Sequence, residues 1–205
     1  MREIVIIIIN ETDMKQTRLI LVGGFLGAGK TTLLWETAVR LMNKGLRVGL
    51  ITNDQAPELV DSELLKLSDL RVAEVSGSCF CCNFNGFTDA IKEIRAEASA
   101  DVIIAEPVGS CADLSATIMQ PLKQYWNTEL KISPLTVLAD PNRLVSILNG
   151  GNGGLHPDAA YIYKKQLEES DIILLSKSDV LKREETAVLR PVSYTHLTLP
   201  TNSLV

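Results

Sequence analysis

The sequence has no excess of positive charge, few cysteines, almost no histidine and no long apolar run, and each shortage removes a class of function. Lys and Arg number 20 against 25 Asp and Glu, a formal charge of −5 over 205 residues. That balance disfavours a polyanionic partner, and no run of Lys and Arg makes a local basic patch, so nucleic-acid binding is not expected. The longest uninterrupted apolar run, residues 4–9, is far below the ~20 residues that span a bilayer. Glu3, Glu11 and Asp13 flank that run and no small-residue cleavage site follows it, so it lacks the anatomy of a signal peptide. No membrane partner is expected, and the chain reads as soluble and cytoplasmic. Four cysteines are too few for a disulfide scaffold in a chain of this length, and three of them fall within four residues, which reads as metal or redox chemistry. The two histidines, His156 and His196, cannot form a histidine-rich metal store.

What is present is an alternation of apolar β-branched runs with longer amphipathic stretches. That pattern predicts an α/β fold, a mostly parallel sheet with helices on both faces. Strands are expected at 18–22, 48–52, 71–75, 101–106, 135–139 and 171–175. Helices are expected at 31–44, 58–68, 87–98, 112–125 and 159–169, with Gly45 stopping the first. Residues 149–157, rich in Gly and Asn, read as a loop. Domain organisation reads as an upstream extension over 1–13, a nucleotide-binding domain over 14–190 that is incomplete at its C-terminus, and a non-native tail over 191–205. Met14 stands four residues before the first strand and is the expected natural start. Residues 192–201 resemble one reading frame of a transposon-end sequencing adapter, and Pro191 interrupts the helical pattern just before them.

Gly24-Phe25-Leu26-Gly27-Ala28-Gly29-Lys30-Thr31 satisfies the G-x-x-x-x-G-K-[ST] pattern between an apparent strand and an apparent helix, the context a phosphate-binding loop requires. The glycines let successive backbone N–H groups turn toward one phosphate chain. Lys30 can reach the β- and γ-phosphates, and the Thr31 hydroxyl can join a Mg²⁺ shell. Further along, Glu106 ends an apolar strand with Gly109 three residues on. A carboxylate there can hold Mg²⁺ through water, and a glycine amide can meet a γ-phosphate. Ser176-Lys177-Ser178-Asp179 has the form of a guanine-reading loop, in which Asp179 accepts from N1–H and the exocyclic amine. A charged helix cap is the other reading of that stretch.

Cys79-Phe80-Cys81-Cys82 places three thiols on a turn-rich segment where they can converge on one soft or borderline cation, leaving a fourth position open. Buried small hydrophobes and a redox dithiol are the competing readings. Cys111 could supply a fourth ligand, but a single cysteine near a helix start is more often simply packed.

A Gly-Gly-Phe-Leu-Gly-Ala-Gly-Lys-Thr-Thr loop together with a C-x-C-C loop resembles the CobW-type metallochaperone GTPases, relatives of the HypB and UreG metal-insertion proteins, over residues 18–179. The resemblance implies that Gly24, Phe25, Leu26, Gly27, Ala28, Gly29, Lys30, Thr31 and Thr32 hold the phosphates of GTP or GDP with Mg²⁺ on Thr31. It implies that Cys79, Cys81 and Cys82 hold Zn²⁺ or Co²⁺. Lys177 and Asp179 match the guanine loop. Asn53 and Asp54, with Asp61, fall in the first switch region. Lys30, Thr31, Asp54, Glu106 and Gly109 are the residues it implies for catalysis. Departures from the family pattern are Ala56-Pro57 after the first switch motif, Ser78 where Gly is usual, and Pro107-Val108 in place of two hydroxyl residues. By resemblance the chain would be a slow GTP-hydrolysing P-loop NTPase that delivers a metal to a client metalloprotein or to a cobalamin-pathway protein, with a metal- or nucleotide-dependent dimer as a further implication. The alternatives are a P-loop kinase of a small metabolite with structural cysteines, which would usually take ATP, and a truncated non-functional product.

Overall fold

The computed structural model describes residues 16–53 and 70–177. Among the described residues seven strands form one sheet in which every pairing is parallel: β1 (Thr17–Gly24), β2 (Val48–Thr52), β3 (Leu70–Glu74), β4 (Val102–Glu106), β5 (Leu130–Ile132), β6 (Thr136–Ala139) and β7 (Ile172–Leu175). Their order is β3-β2-β4-β1-β6-β7, with β5 also on β1. The helices are α1 (Lys30–Met42), α2 (Phe84–Ala98), α3 (Gln120–Tyr125), α4 (Pro141–Leu148) and α5 (Pro157–Glu168). Among the described residues no helix is long and apolar enough to cross a membrane.

The continuous apolar strands are explained by burial on both faces. Along β1, Leu19 and Leu21 join a core with α2, α3, α4 and α5, whereas Ile20 and Val22 join a second core with Leu34 and Ala38 of α1. β4 divides in the same way, Ile103 and Ala105 against Val102 and Ile104. Leu34 is 1% exposed, so truncating it to alanine would remove about 2–5 kcal/mol.

The strand position beside β1 is made by two pieces. Thr17 to Leu19 pair with Leu130 to Ile132, and Val22 to Gly24 pair with Thr136 to Leu138, so the register slips by one residue between them. Pro134 lies in the interruption, where it has no N–H to give a ladder.

The expected strands and helices within the described residues are present, with three differences. A three-residue β5 was not anticipated. Neither was α4, which Asp140 caps by accepting from the amides of Asn142 and Arg143. The helix expected over 112–125 starts later, with a π-helical turn, Ser115–Met119, leading into α3. Pro121 explains the wide turn, because its ring crowds the carbonyl four residues back and it brings no N–H to bond there. The helix expected at 58–68, the apolar run at 4–9 and the tail from 191 onward lie outside the described residues.

Candidate functional site

The carboxyl ends of parallel strands gather on one edge of the sheet, the edge where open α/β folds bind ligands. β1 ends there in the phosphate loop. Gly24 has φ +136°, and a Cβ on it would stand 2.5 Å from the Leu138 carbonyl oxygen, so only glycine lets the loop leave the sheet here. Gly29, at φ +92°, precedes α1 with no side-chain cap on the helix, and the first turn holds no acid. The free amides of that turn therefore face whatever anion the loop receives. Phe25 is half-buried, Leu26, Gly27, Gly29 and Thr32 are exposed, and Ala28 is buried.

Lys30 is 6% exposed and its Nζ lies 3.7 Å from Glu106 Oε1. Thr31 Oγ1 donates to Glu106 Oε2 at 3.1 Å and approaches Oε1 at 3.3 Å. Burial lowers the Lys30 ammonium pKa and raises that of the Glu106 carboxyl, and each group partly offsets the shift of the other. A hydroxyl and a carboxylate side by side at the phosphate loop are a donor set that suits Mg²⁺. Gly109 closes over the same place: a Cβ there would meet the Leu26 amide nitrogen at 3.0 Å and Lys30 Nζ at 3.2 Å. The structure thus brings Lys30, Thr31, Glu106 and Gly109 into one cluster.

Lys177, at φ +48°, lies across the other side of the loop. Its Nζ donates to the Gly27 carbonyl at 3.1 Å and to Asp140 Oδ2 at 3.3 Å. Three contributors were not foreseen from the sequence. Asp140 links Lys177 to the start of α4. Arg143 Nη1 donates to the Leu26 carbonyl at 3.1 Å, with its guanidinium over the Phe25 ring. Gln166 of α5, 1% exposed, donates to the carbonyls of Gly109 at 3.0 Å and Cys111 at 2.7 Å. The cap signal Asp-Pro ahead of an apolar i, i+3 pair, Leu144 and Ile147, could have found α4 and with it Asp140 and Arg143. Nothing local marks Gln166. Asp54, Asp61 and Asp179 lie outside the described residues.

The Cys79, Cys81 and Cys82 sulfurs all lie within 4.8 Å of one another. Cys82 N and Asn83 N both donate to the Cys79 carbonyl, which curls the segment into a turn before α2. Phe80 is fully buried and stacks on Phe87 at 4.3 Å, so the turn is anchored by its second residue while the thiols stay at or near the surface. Cys79 and Cys81 sulfurs are 2.9 Å apart. Burial pushes the Cys79 thiol up, but the hydrogen bond with Cys81 and the neighbouring Cys82 outweigh it and bring it down to about 7. Burial, then the neighbouring Cys79, pushes Cys81 up to about 11. One negative charge is favoured in the cluster, and further ionisation needs a cation.

Asn53 connects the two sites. Its amide nitrogen Nδ2 donates to the carbonyls of Val75 and Ser78 at 2.8 and 2.7 Å, and its backbone N–H donates to the Glu106 carbonyl at 3.2 Å. The residue at the end of β2 therefore holds the cysteine turn on one side and the carboxylate strand on the other.

Known proteins resemble this chain in sequence and in fold. A family model described as the CobW/HypB/UreG nucleotide-binding domain matches residues 18–196. The zinc chaperone CobW of Pseudomonas aeruginosa is 26% identical over 204 residues, covering 83% of this chain and 51% of that protein. The zinc chaperone YeiR of Escherichia coli is 24% identical over 178 residues, covering 85% and 50%. The chain spans about half the length of these curated relatives. Among solved structures, Zn(II)-bound YjiA GTPase from E. coli superposes with a TM-score of 0.57 at 20% identity, over 87% of this chain and 54% of that one. The hydrogenase maturation factor HypB from Archaeoglobus fulgidus does so with a TM-score of 0.55 at 13% identity, over 87% and 77%. At these identities the superpositions show the fold alone. The family match spans the phosphate loop, the cysteine turn and the Glu-x-x-Gly segment alike, and the chain belongs to the CobW/HypB/UreG nucleotide-binding domain family.

Proposed function

We propose that this chain is the GTP-binding and GTP-hydrolysing part of a metallochaperone, which couples nucleotide state to the holding and delivery of a thiophilic metal ion. The observation that carries the reading is the tether through Asn53, which fastens a three-thiol turn to the strand whose Glu106 meets Lys30 and Thr31. In this reading Lys30 and the loop amides hold the phosphates, Thr31 and Glu106 are the residues that would hold Mg²⁺, and Mg²⁺ would supply charge neutralisation at the phosphate oxygens. Gly109 meets the γ-phosphate through its amide, and Asp54 acts in the first switch. Lys177 braces the loop, and Asp179 reads guanine. Cys79, Cys81 and Cys82 take the cargo ion, zinc or cobalt. The names of the zinc-chaperone relatives favour zinc. A cytoplasmic location, a client metalloprotein or cobalamin-pathway protein, and a nucleotide- or metal-dependent dimer complete the proposal.

The test is equilibrium titration with zinc and with nucleotides. GTP should bind in clear preference to ATP, and Asp179→Asn should shift preference toward xanthine nucleotides, because an acceptor pair becomes a donor and an acceptor. Lys30→Ala should lose nucleotide binding or turnover and keep zinc, since phosphates need the ammonium and zinc needs thiolates. Equal affinity for ATP and GTP would overturn the GTPase half. One-to-one zinc binding after Cys79, Cys81 and Cys82 are all replaced by Ser would overturn the metal half.

A further inference from the structure

Residues 107–113, between β4 and the π-helical turn, form neither helix nor strand, and the Cys111 N–H closes a turn on the Val108 carbonyl at 3.0 Å. One face of α5 holds this stretch and its surroundings from outside. Tyr163, Gln166 and Glu169 recur at intervals of three, which puts them on one side of the helix and its end. The Tyr163 ring meets Phe25 of the phosphate loop edge-on, with 5.9 Å between centroids. Gln166 Nε2 donates to the Gly109 and Cys111 carbonyls at 3.0 and 2.7 Å, and Glu169 accepts from the Ser115 amide at 3.2 Å. Gln166 is 1% exposed, and its Oε1 is buried with no partner among the described residues. An unpaired buried acceptor is a cost, so what this amide contributes it contributes through its N–H groups. A primary amide carries two hydrogens on one nitrogen and bridges two carbonyls without bringing charge into the core. A hydroxyl has only one hydrogen, and an ammonium would need a counter-ion.

We infer that Gln166 is a positioning residue for the terminal phosphate: by fixing the Gly109 and Cys111 carbonyls it presets the Gly109 amide, and so favours a nucleoside triphosphate over a diphosphate. The inference rests on the reading of Gly109 as the residue whose amide meets the γ-phosphate, and adds what holds that amide in place. Glycine has the widest torsional freedom of any residue. A glycine amide presented by an irregular stretch must therefore be ordered at the moment of binding, unless something has ordered it already. Two contacts do so at Gly109. The phosphate loop confines its Cα, with Leu26 N 3.0 Å and Lys30 Nζ 3.2 Å from where a Cβ would stand, and Gln166 takes its carbonyl. A diphosphate offers the Gly109 amide no terminal oxygen, so the ordering that Gln166 supplies acts on the triphosphate alone.

Isothermal titration of the full chain with GTPγS and with GDP, each with Mg²⁺, separates this role from packing. In Gln166→Met, which keeps the bulk and removes the donors, GTPγS affinity should fall at least about tenfold while GDP affinity stays within about twofold. Equal losses for both nucleotides, or no loss for either, in a variant whose unfolding midpoint shows it to be folded would overturn the inference. Gln166→Asn, one methylene too short to reach both carbonyls, gives the same comparison if the Met variant does not fold. The amide resonance of Gly109 in the unsubstituted chain tests the reading beneath, and it should shift more with GTPγS than with GDP. A Gly109 signal indifferent to bound GTPγS would overturn the γ-phosphate role of Gly109. The expected shift together with unchanged affinities in the Gln166 variants would overturn the positioning role alone.

Discussion

Gly109 and Glu169 show how single side chains, or the lack of one, set the state of the segment after β4. Gly109 leaves little room for a methyl group: it would stand 3.0 Å from the Leu26 amide nitrogen and 3.2 Å from the Lys30 ammonium, so both must give way by a few tenths of an ångström. Gly109→Ala should therefore lower GTP turnover at least about tenfold, ~1.4 kcal/mol of lost transition-state stabilisation, with an unfolding midpoint within about 3 °C of the parent. A variant that turns over GTP normally would show that the close contact has no part in the reaction. Glu169 holds the far end of the same segment, accepting from the Ser115 amide at 3.2 Å, and burial pushes its carboxyl up to about 6 from an ordinary 4.5. The native state then binds this proton more tightly than the unfolded chain does. Its contribution to stability is fully present below about pH 4.5 and is lost as pH rises through about 6, a loss of about 1–2 kcal/mol. Glu169→Gln keeps an acceptor and removes the ionisation, so denaturant midpoints of the variant should be flatter between pH 4.5 and 6.5, and at pH 7.5 at least as high as the parent's.

At the scale of elements, the N-terminal ends of β2 and β4 are tied by one carboxylate. Asp101 accepts from the Arg47 amide and Nε at 2.9 and 3.0 Å and from Nη2 at 2.6 Å, and the Arg47 guanidinium holds its carboxyl below the ordinary 3.8. A depressed carboxylate stabilises the fold above its ordinary pKa and loses that contribution as pH falls through the native value. Asp101→Asn should thus cost about 1 kcal/mol at neutral pH, a discounted figure for a partly exposed pair, with parent and variant converging in acid well below pH 4. β1, β2, β4 and β6 were legible because each is an apolar run buried on both faces, and α1 and α2 because Leu34 and Ala38, or Ile91 and Ile94, recur at helical spacing. β5 was not, since Leu130-Lys131-Ile132 is too short for any period to show and depends on β1 for its existence. The π turn was hidden for another reason: Pro121 announces an irregularity but does not say whether the chain will break or widen. Within the site, the phosphate loop and the cysteine turn were readable as local motifs. Gln166 was not, and Asn53 was placed only in the first switch region by resemblance, because their roles consist of bonds with backbone groups that only the fold brings near.

For the whole molecule, the two sites are joined through Asn53 at the end of β2, so metal and nucleotide affinities should be linked, and by the same factor in both directions. Zinc affinity should also climb with pH, at least about tenfold per unit near neutrality, because Cys81 sits near 11 and must lose its proton to bind. Isothermal titration at several pH values, with and without GTP, checks both expectations, and a pH-independent affinity would mean that thiolates are not the ligands. The strand order has a different consequence, for synthesis. Of the described strands β1 is made first, yet it pairs with β4 on one side and with β5 and β6 on the other. Its partner β4 leaves the ribosome roughly 80 residues later, a delay of about 4–16 s at ordinary elongation rates. Throughout that interval Leu19, Ile20, Leu21 and Val22 form an apolar ribbon without their sheet partner, so the central strand of the finished fold is a surface for chaperones to cover.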